Sequence, residues 1–159
     1  MVFKEEQSFV GTWIMYLMLM IELPVMVLLA VLWLKGELGD HGYIPLVIVL
    51  AVMGLVFWLL MSMKLETRID RYGFQFRSPP FVNKWRKYPW DEIKQVEVKS
   101  SGAMWKFGGL GIRYNLKEWG YIFNNAHAVR IYLKNKSIVF STRKPKEILA
   151  AWEEWREDR

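Results

Sequence analysis

Few side chains in this sequence have the type and spacing that catalysis or metal binding requires. There is no cysteine, which excludes disulfides, thiolate metal sites and a cysteine nucleophile. The two histidines, His41 and His127, have no carboxylate at metal-ligand spacing. Ser141 and Thr142 have no base within a recognisable motif. The sequence therefore predicts no catalytic residue, no metal site and no cofactor, and we expect a protein that is not an enzyme.

The glycine-rich stretch Gly108-Gly109-Leu110-Gly111 resembles a phosphate-binding loop only in part. No Gly-Lys-Ser/Thr follows it, and no further glycine completes a dinucleotide-binding fingerprint. Small residues at the start of a strand are the simpler interpretation. We therefore expect no small-molecule substrate and no nucleic acid as a ligand.

Glu22 is an acidic residue inside a long apolar run. An unpaired carboxylate in hydrocarbon is costly, so Glu22 is expected to be protonated, to meet a copy of itself in an oligomer, or to pair with another protein. Pro24 beside it removes a backbone hydrogen bond. Gly54 lies at the same depth in the next apolar run, where it would let two helices approach closely. The functional interpretation is a proton or assembly site, and the alternative is a tolerated neutral glutamic acid.

Two apolar runs must position this acid. Residues 10–34 carry one charge and residues 44–63 carry none. At about 1.5 Å of rise per residue, either run spans a hydrocarbon core of about 30 Å. Buried helices of a soluble protein would show a polar stripe, which residues 44–63 lack. A cleaved signal peptide fits poorly, because the first run is too long and no small-x-small site follows it. We therefore predict two transmembrane helices.

Charge predicts the orientation of this hairpin. The connector at residues 35–43 contains three glycines, and its shortness makes the helices antiparallel neighbours. Residues 64–159 carry 20 Lys and Arg against 11 Asp and Glu, whereas the connector has one lysine and two acids. The positive-inside rule then places both termini in the cytoplasm of a multi-pass plasma (inner) membrane protein. Residues 1–9 become a cytoplasmic N-terminal segment, the connector an extracytoplasmic turn, and residues 64–159 a basic cytoplasmic domain.

The domain after residue 64 reads as β structure capped by one helix. Apolar and polar residues alternate, with turn residues at intervals of about ten. We predict strands at residues 65–70, 74–78, 85–88, 95–100, 109–114, 128–133 and 136–142. Residues 119–124 either extend a strand or form a loop. Pro145 suits a first helical position, and an apolar stripe follows it at Ile148, Leu149, Trp152 and Trp155. Seven strands and a C-terminal helix predict a barrel or sandwich like that of pleckstrin-homology (PH) domains, in an α+β membrane protein.

These residues also resemble a family of small bacterial membrane proteins in which two N-terminal helices precede a bacterial PH-like domain. The resemblance is carried by FKEEQSF (residues 3–9), FGGLGIRY (107–114), AVRIYL (128–133) and IVFSTRKPKEIL (138–149). The family is largely uncharacterised, and the resemblance implies membrane anchoring and a binding role without naming a ligand. The first hairpin loop, Arg71-Tyr72-Gly73, lacks the spaced Lys/Arg cluster of phosphoinositide-binding domains.

Two further segments are candidate contacts. The first mixes apolar and basic residues, as a segment touching lipid headgroups does; its members are Phe81, Lys84, Trp85, Arg86 and Lys87. The second carries large apolar side chains that either tuck under the barrel or contact a partner; its members are Met104, Trp105, Lys106 and Phe107. Ordinary core and rim residues are the alternative for both segments.

We therefore expect a membrane-anchored interaction or scaffolding module. Its PH-like domain would bind a protein partner or self-associate near the bilayer, and protein partners rank above lipid because two helices already hold the domain at the membrane. The alternatives are a small accessory subunit of a transport or signalling complex that depends on Glu22, and a domain that senses anionic lipid.

Overall fold

The computed structural model describes residues 2–100 and 102–157. The chain divides into two compact units. One is the helical hairpin of residues 9–63. The other, the β domain, combines the residues before Phe9 with those from Lys64 onward, so it is built from two separate stretches of the chain.

Two long helices form the hairpin. Helix α1 covers Trp13–Leu34 and helix α2 covers Tyr43–Ser62, and both are long and apolar enough to cross a membrane. The core helices of a soluble protein would be largely buried, whereas no residue of α1 or α2 is buried within the structure. The predicted pair of long apolar helices is confirmed. Residues 10–12 and Met63, which were assigned to the helices, lie outside them.

The two helices meet along a narrow seam. Half-buried residues recur every three or four positions on each helix, which is the spacing of antiparallel helix packing. On α1 they include Met15, Met18, Glu22, Met26 and Leu29, and on α2 they include Leu46, Val49, Met53, Val56 and Leu60. Apolar side chains away from this seam are exposed, as expected for helices that are apolar on every face.

Residues 1–9 were predicted as a segment separate from the domain of residues 64–159, whereas most of them belong to a sheet of that domain. Residues Phe3–Ser8 form strand β1, which pairs antiparallel with strand β2, Lys64–Asp70. The pairing runs from Phe3 opposite Ile69 to Ser8 opposite Lys64. Alternate residues of β1 are buried, beginning with Phe3, which is the period of a strand with one face on a core. The helical hairpin is thus inserted between two neighbouring strands of one sheet.

The described residues of the β domain form two antiparallel or mixed sheets. Strands β3 (Gly73–Ser78) and β4 (Val82–Pro89) complete a four-stranded sheet in the order β1-β2-β3-β4. A 3₁₀ turn at Trp90–Glu92 leads to the second sheet, ordered β5-β8-β9-β7-β6. Its strands are β5 (Ile93–Ser100), β6 (Gly111–Tyr114), β7 (Trp119–Ile122), β8 (His127–Leu133) and β9 (Ser137–Thr142). Two helices complete the domain, the one-turn α3 (Ala103–Lys106) and α4 (Pro145–Glu157).

An aromatic core holds the two sheets together. Phe76 of the four-stranded sheet contacts Tyr121 and Phe140 of the other sheet, with ring centroids 4.8 and 4.7 Å apart. Helix α4 covers one end of this core, because Ile148 and Trp152 are buried and the Trp152 ring lies 5.3 Å from that of Trp90. The predicted C-terminal helix and its apolar stripe are confirmed.

The predicted seven-stranded barrel differs from the structure in two respects. The described residues contain nine strands, because β1 and β7 add to the predicted set, and the two sheets do not close into a barrel. Residues 119–122 form strand β7, which pairs with β6 and also lies parallel to β9. Alternation alone did not reveal β7, since its residues Gly120, Tyr121 and Ile122 are all buried.

Candidate interaction surfaces and buried polar sites

A buried polar network fastens β1 to the far end of the chain. Gln7 is 1% exposed, and its side-chain amide donates to the Ser141 carbonyl at 2.7 Å. The Gln7 side-chain carbonyl accepts from the Ser141 hydroxyl at 2.8 Å and from the Asn124 amide. Glu5 accepts from the Thr142 hydroxyl at 2.6 Å and from the backbone N–H of residue 143 at 2.8 Å. Both polar groups of the Gln7 side chain therefore have a partner about 120 to 130 residues away in sequence.

Sequence reasoning missed this network. It considered Ser141 and Thr142, in the predicted strand of residues 136–142, only as possible nucleophiles, and it assigned Glu5 and Gln7 to a separate N-terminal segment. The structure assigns all four side chains to the docking of β1. The sequence carries little signal of this strand, because only Phe3 and Phe9 are apolar in residues 3–9 and the buried positions between them are the polar Glu5 and Gln7.

A second polar cluster surrounds Glu118, at the turn between β6 and β7. Its carboxylate, 6% exposed, accepts from Lys106 at 2.6 Å, from Arg130 at 2.8 Å and from the Ser137 hydroxyl at 2.8 Å. These donors come from α3, β8 and β9, so one side chain ties three elements to the turn. Arg130 also donates to the Tyr132 hydroxyl, which extends the cluster across the sheet.

The charged state of Glu118 is stabilised by its neighbours. Burial alone would raise the pKa of Glu118, but hydrogen bonds from Lys106 and Ser137 and the charge of Arg130 hold that pKa below its ordinary value. At the other end of the cluster, a hydrogen bond from Tyr132 lowers the pKa of the exposed Glu97. The Glu118 carboxylate is thus fully paired, although the buried Nε of Arg130 has no hydrogen-bond partner among the described residues. Its three donors give Glu118 a structural role in joining these elements.

The segment of residues 102–110, which we name the strap, covers the outer face of the five-stranded sheet. Phe107 is 7% exposed and packs with Ile122, Ala128 and Val139, while Met104 and Leu110 border the same cluster. Gly120 makes this packing possible, because a Cβ there would lie 2.6 Å from the Phe107 ring. The strap thus builds a small second core on the side of the sheet opposite the aromatic one.

The predicted partner contact in the strap divides into two groups. Phe107 is buried and Met104 partly so, which agrees with the alternative that they are core residues of the domain. Lys106 is exposed and pairs with Glu118. Trp105 is 80% exposed and remains available to a partner. In a one-turn helix packed on a sheet, one face must point outward, and Trp105 occupies it.

The predicted membrane-surface residues lie on or next to strand β4. Lys84, Trp85, Arg86 and Lys87 are exposed in this strand, and Phe81 is exposed just before it. Trp85 lies over the Arg77 guanidinium, with 5.0 Å from ring centroid to Cζ. The predicted strand of residues 85–88 is thus part of a longer strand, Val82–Pro89, at the edge of the sheet. We name Lys84, Arg86 and Lys87 the basic edge.

Phe81 lies at the end of the four-stranded sheet where β1 ends and β2 begins. The backbone N–H of Lys64 donates to the Pro79 carbonyl at 3.1 Å, and the Ser78 hydroxyl donates to the Lys64 carbonyl at 2.8 Å. Lys64 is also paired with Ser8. The β3–β4 turn that carries Phe81 is thus at the sheet end where the chain leaves for, and returns from, residues 9–63.

A shallow depression of about 380 Å³ lies on the outer face of β1 and β2. Its lining is charged, and many of these charges are already paired. Lys64 meets Glu6 at 2.8 Å, and Arg77 meets Glu66 at 2.8 Å. Both acids line the depression, and their pairs are exposed to solvent. This arrangement is that of a solvated sheet face, and we assign it no ligand.

The intramembrane candidates separate in the structure. Glu22 lies in the helix seam, and its Oε2 atom is buried without a hydrogen-bond partner among the described residues. Pro24 lies within the continuous helix α1 and is exposed. Gly54 is exposed, and a Cβ there would meet nothing within 4 Å. The prediction that Gly54 permits close approach of the two helices was wrong, because it lies off the seam.

The part of the chain that the structure describes contains no group of three or more His, Asp or Glu side chains placed to hold a metal ion. His41 instead makes an edge contact with the ring of Tyr43, at 6.3 Å between centroids.

Comparisons of the chain with protein-family models, curated proteins and solved structures find no match.

Proposed function

We propose that this protein is a membrane-anchored interaction module, in which the helical hairpin spans the bilayer and the β domain binds a protein partner or a second copy at the cytoplasmic surface. The supporting observation is the insertion of the hairpin between β1 and β2. Because Ser8 and Lys64 are paired, both ends of the hairpin start from one point of one sheet. A module anchored in this way would hold its binding surface in place by two connections.

The connections are short. Four residues, 9–12, separate β1 from α1, and Met63 alone separates α2 from β2. At about 3.3 Å per extended residue, four residues reach roughly 13 Å. A flexible tether would let a domain search the cytoplasm, whereas these connections would keep the β domain beside the headgroups. This favours a role that depends on position at the membrane.

The strand order supports kinship with PH domains as part of this proposal. An antiparallel set of four strands, β1 to β4, precedes an antiparallel set of three, β5-β8-β9, and a C-terminal helix packs across both sheets. The β6–β7 hairpin is then an addition between the first two strands of the second set. PH-like domains serve many binding functions, so the fold alone names no ligand.

The orientation can be tested by single-cysteine labelling, since the natural chain has no cysteine. His41→Cys places a thiol in the connector and Lys146→Cys places one in the β domain. We expect an impermeant maleimide to label residue 41 in intact cells and residue 146 only after permeabilisation. Labelling of residue 146 in intact cells, or recovery of the chain in the soluble fraction, would refute the proposed anchoring.

The binding role requires a separate test. We expect the full chain, purified in mild detergent and analysed by mass spectrometry, to retain a partner or a differently tagged copy of itself. The matched control contains residues 9–63 alone, because removing only residues 64–159 would leave β1 without its sheet. Retention of the same partner by residues 9–63 would contradict a binding role for the β domain.

Glu22 supports a second candidate function, an accessory subunit of a transport or signalling complex. Its buried and unpaired Oε2 atom is the favouring observation. If this candidate is right, Glu22→Gln should impair the complex more than loss of the β domain does. If Glu22→Leu leaves abundance, assembly and activity unchanged, Glu22 is a tolerated neutral acid.

A further inference from the structure

Strand β4 presents an unusually open edge of a sheet. It is the outermost strand of the four-stranded sheet, with β3 as its partner on one side. Residues 83–87 are exposed in succession, so neither face of this stretch is covered. An uncovered edge strand carries a row of backbone N–H and C=O groups that another extended chain can pair with.

The side chains of this edge are basic and free. Lys84, Arg86 and Lys87 have no ion pair with any described residue, and β4 contains no acid. Elsewhere in the described β domain, Lys64, Arg77 and Arg130 each contact a carboxylate. The basic edge thus carries three positive charges that no described carboxylate neutralises. The backbone N–H and C=O groups on the open side of β4 have no partner strand among the described residues.

The other outer strands are less accessible. Strand β1 is fastened through Glu5 and Gln7, and its alternate residues are buried. Strand β5 is covered in part by α4, with Val96 and Trp152 lining one apolar cavity. Strand β6 has four residues. Among the edges that the structure describes, β4 is the one suited to receive a strand.

A second copy of β4 does not fit this edge. Pairing β4 with itself would place three positive charges opposite three positive charges, which is destabilising. A flat anionic bilayer fits less well than an extended chain, because the charges point to opposite faces. Arg86 pairs with Phe76 on the core face, whereas Lys87 pairs with Gln75 on the outer face. Side chains on both faces of one edge match a neighbouring strand, whose own side chains alternate in the same way.

We infer that the open edge of β4 binds an extended acidic segment of a partner protein by strand addition. Backbone hydrogen bonds would supply the alignment, and carboxylates on both faces of the partner strand would meet Lys84 and Arg86 on one face and Lys87 on the other. This inference rests on the proposed interaction role and specifies the partner as an acidic, β-forming peptide. The basic side chains would also discourage pairing between copies, which is how edge lysines act in soluble sheets.

The test uses the full chain in nanodiscs of phosphatidylcholine and a fluorescent nine-residue peptide of three Val-Glu-Glu repeats, which carries glutamates on both faces of an extended strand. Binding is read by anisotropy. We expect saturable binding that weakens as salt is raised. The variant Lys84→Glu/Arg86→Glu/Lys87→Glu should lose about tenfold or more in affinity, given three lost ion pairs and new repulsion. The matched control Lys117→Glu/Lys134→Glu/Lys146→Glu has the same net charge away from β4 and should change the affinity by less than about threefold.

A second peptide separates strand addition from simple charge attraction. Its sequence is the same, but alternate amides are N-methylated, which removes backbone donors and keeps every carboxylate. We expect it to bind at least about tenfold more weakly. The inference would be overturned if the two peptides bound with equal affinity, if the control variant lost as much affinity as the basic-edge variant, or if no peptide bound. It would also be overturned if phosphatidylserine nanodiscs displaced the peptide, because the basic edge would then bind anionic lipid more tightly than the peptide. None of these results would alter the cysteine-labelling pattern, so the proposed anchoring is judged independently.

Discussion

The buried network around Gln7 leads to a quantitative prediction for Gln7→Leu. Leucine has a similar size but cannot form the four side-chain hydrogen bonds that Gln7 makes with Glu5, Asn124 and Ser141. The Ser141 carbonyl would lose its side-chain partner in a region without access to water. An unsatisfied buried polar group costs about 1–3 kcal/mol. Because more than one group is affected and some can find new partners, we expect a loss of about 2–4 kcal/mol in the free energy of unfolding.

Thermal unfolding measures this loss. For a domain of this size, 1 kcal/mol corresponds to about 4 °C in Tm, so Gln7→Leu should lower Tm by roughly 8–16 °C. The assay is tryptophan fluorescence of the full chain in detergent, since Trp90 and Trp152 lie against each other in the aromatic core. Gln95→Leu is the matched control, because Gln95 is exposed on β5. Equal Tm values for the two variants would refute the assignment of β1 to the β domain.

Three further predictions concern the β domain. Glu118→Gln should lower Tm at pH 7. The difference in Tm from the natural chain should shrink as the pH falls below the ordinary carboxyl pKa of about 4.3, because the pKa of Glu118 is depressed in the folded state and its stabilisation is lost on protonation. Tm measured against pH tests this, and a constant difference between pH 7 and pH 3 would contradict it. Gly120→Ala should lower the free energy of unfolding by about 1–3 kcal/mol, because the added Cβ displaces Phe107. Adding Phe107→Leu to this variant should recover part of that loss. If Gly120→Ala left both the near-ultraviolet circular dichroism and Tm unchanged, the contact would be contradicted. Residues 64–159 alone should lack a cooperative unfolding transition, and adding a peptide of residues 2–9 should restore it; a cooperative transition without the peptide would show that β1 is dispensable.

The features that depend on local pattern were accessible from sequence. Three such features each involve residues close together in the chain: the two apolar runs, the Arg71-Tyr72 turn before Gly73, and the apolar stripe of α4. The predicted bounds of each agree with the structure to within a few residues. In these segments a single periodicity determines what is buried. The two-helix segment and the β-rich remainder with its final helix were therefore predictable.

The features that depend on distant pairing were not accessible. Strand β1 is separated from β2 by the whole hairpin, and its short polar sequence is stabilised by Ser141 and Thr142, far along the chain. Strand β7 carries no alternation, because its partners on both sides bury it. Gly54 showed the same limit within the hairpin. Its depth in the helix followed from counting residues, but the direction in which it faces depends on how the two helices pack.

The order of strands along the chain has a consequence for biosynthesis. Strand β1 is synthesised before the hairpin, but its partner β2 is made only after both helices, and the residues that secure Glu5 and Gln7 come later still. The β domain therefore cannot complete its fold until the hairpin has been synthesised and, if the hairpin spans the bilayer as proposed, until both of its ends lie on the same side. In that proposed arrangement, a chain whose second helix failed to insert would leave β1 and β2 on opposite sides of the bilayer. Such a chain would carry an unfolded domain that quality-control proteases could recognise, so folding of this domain would report correct insertion.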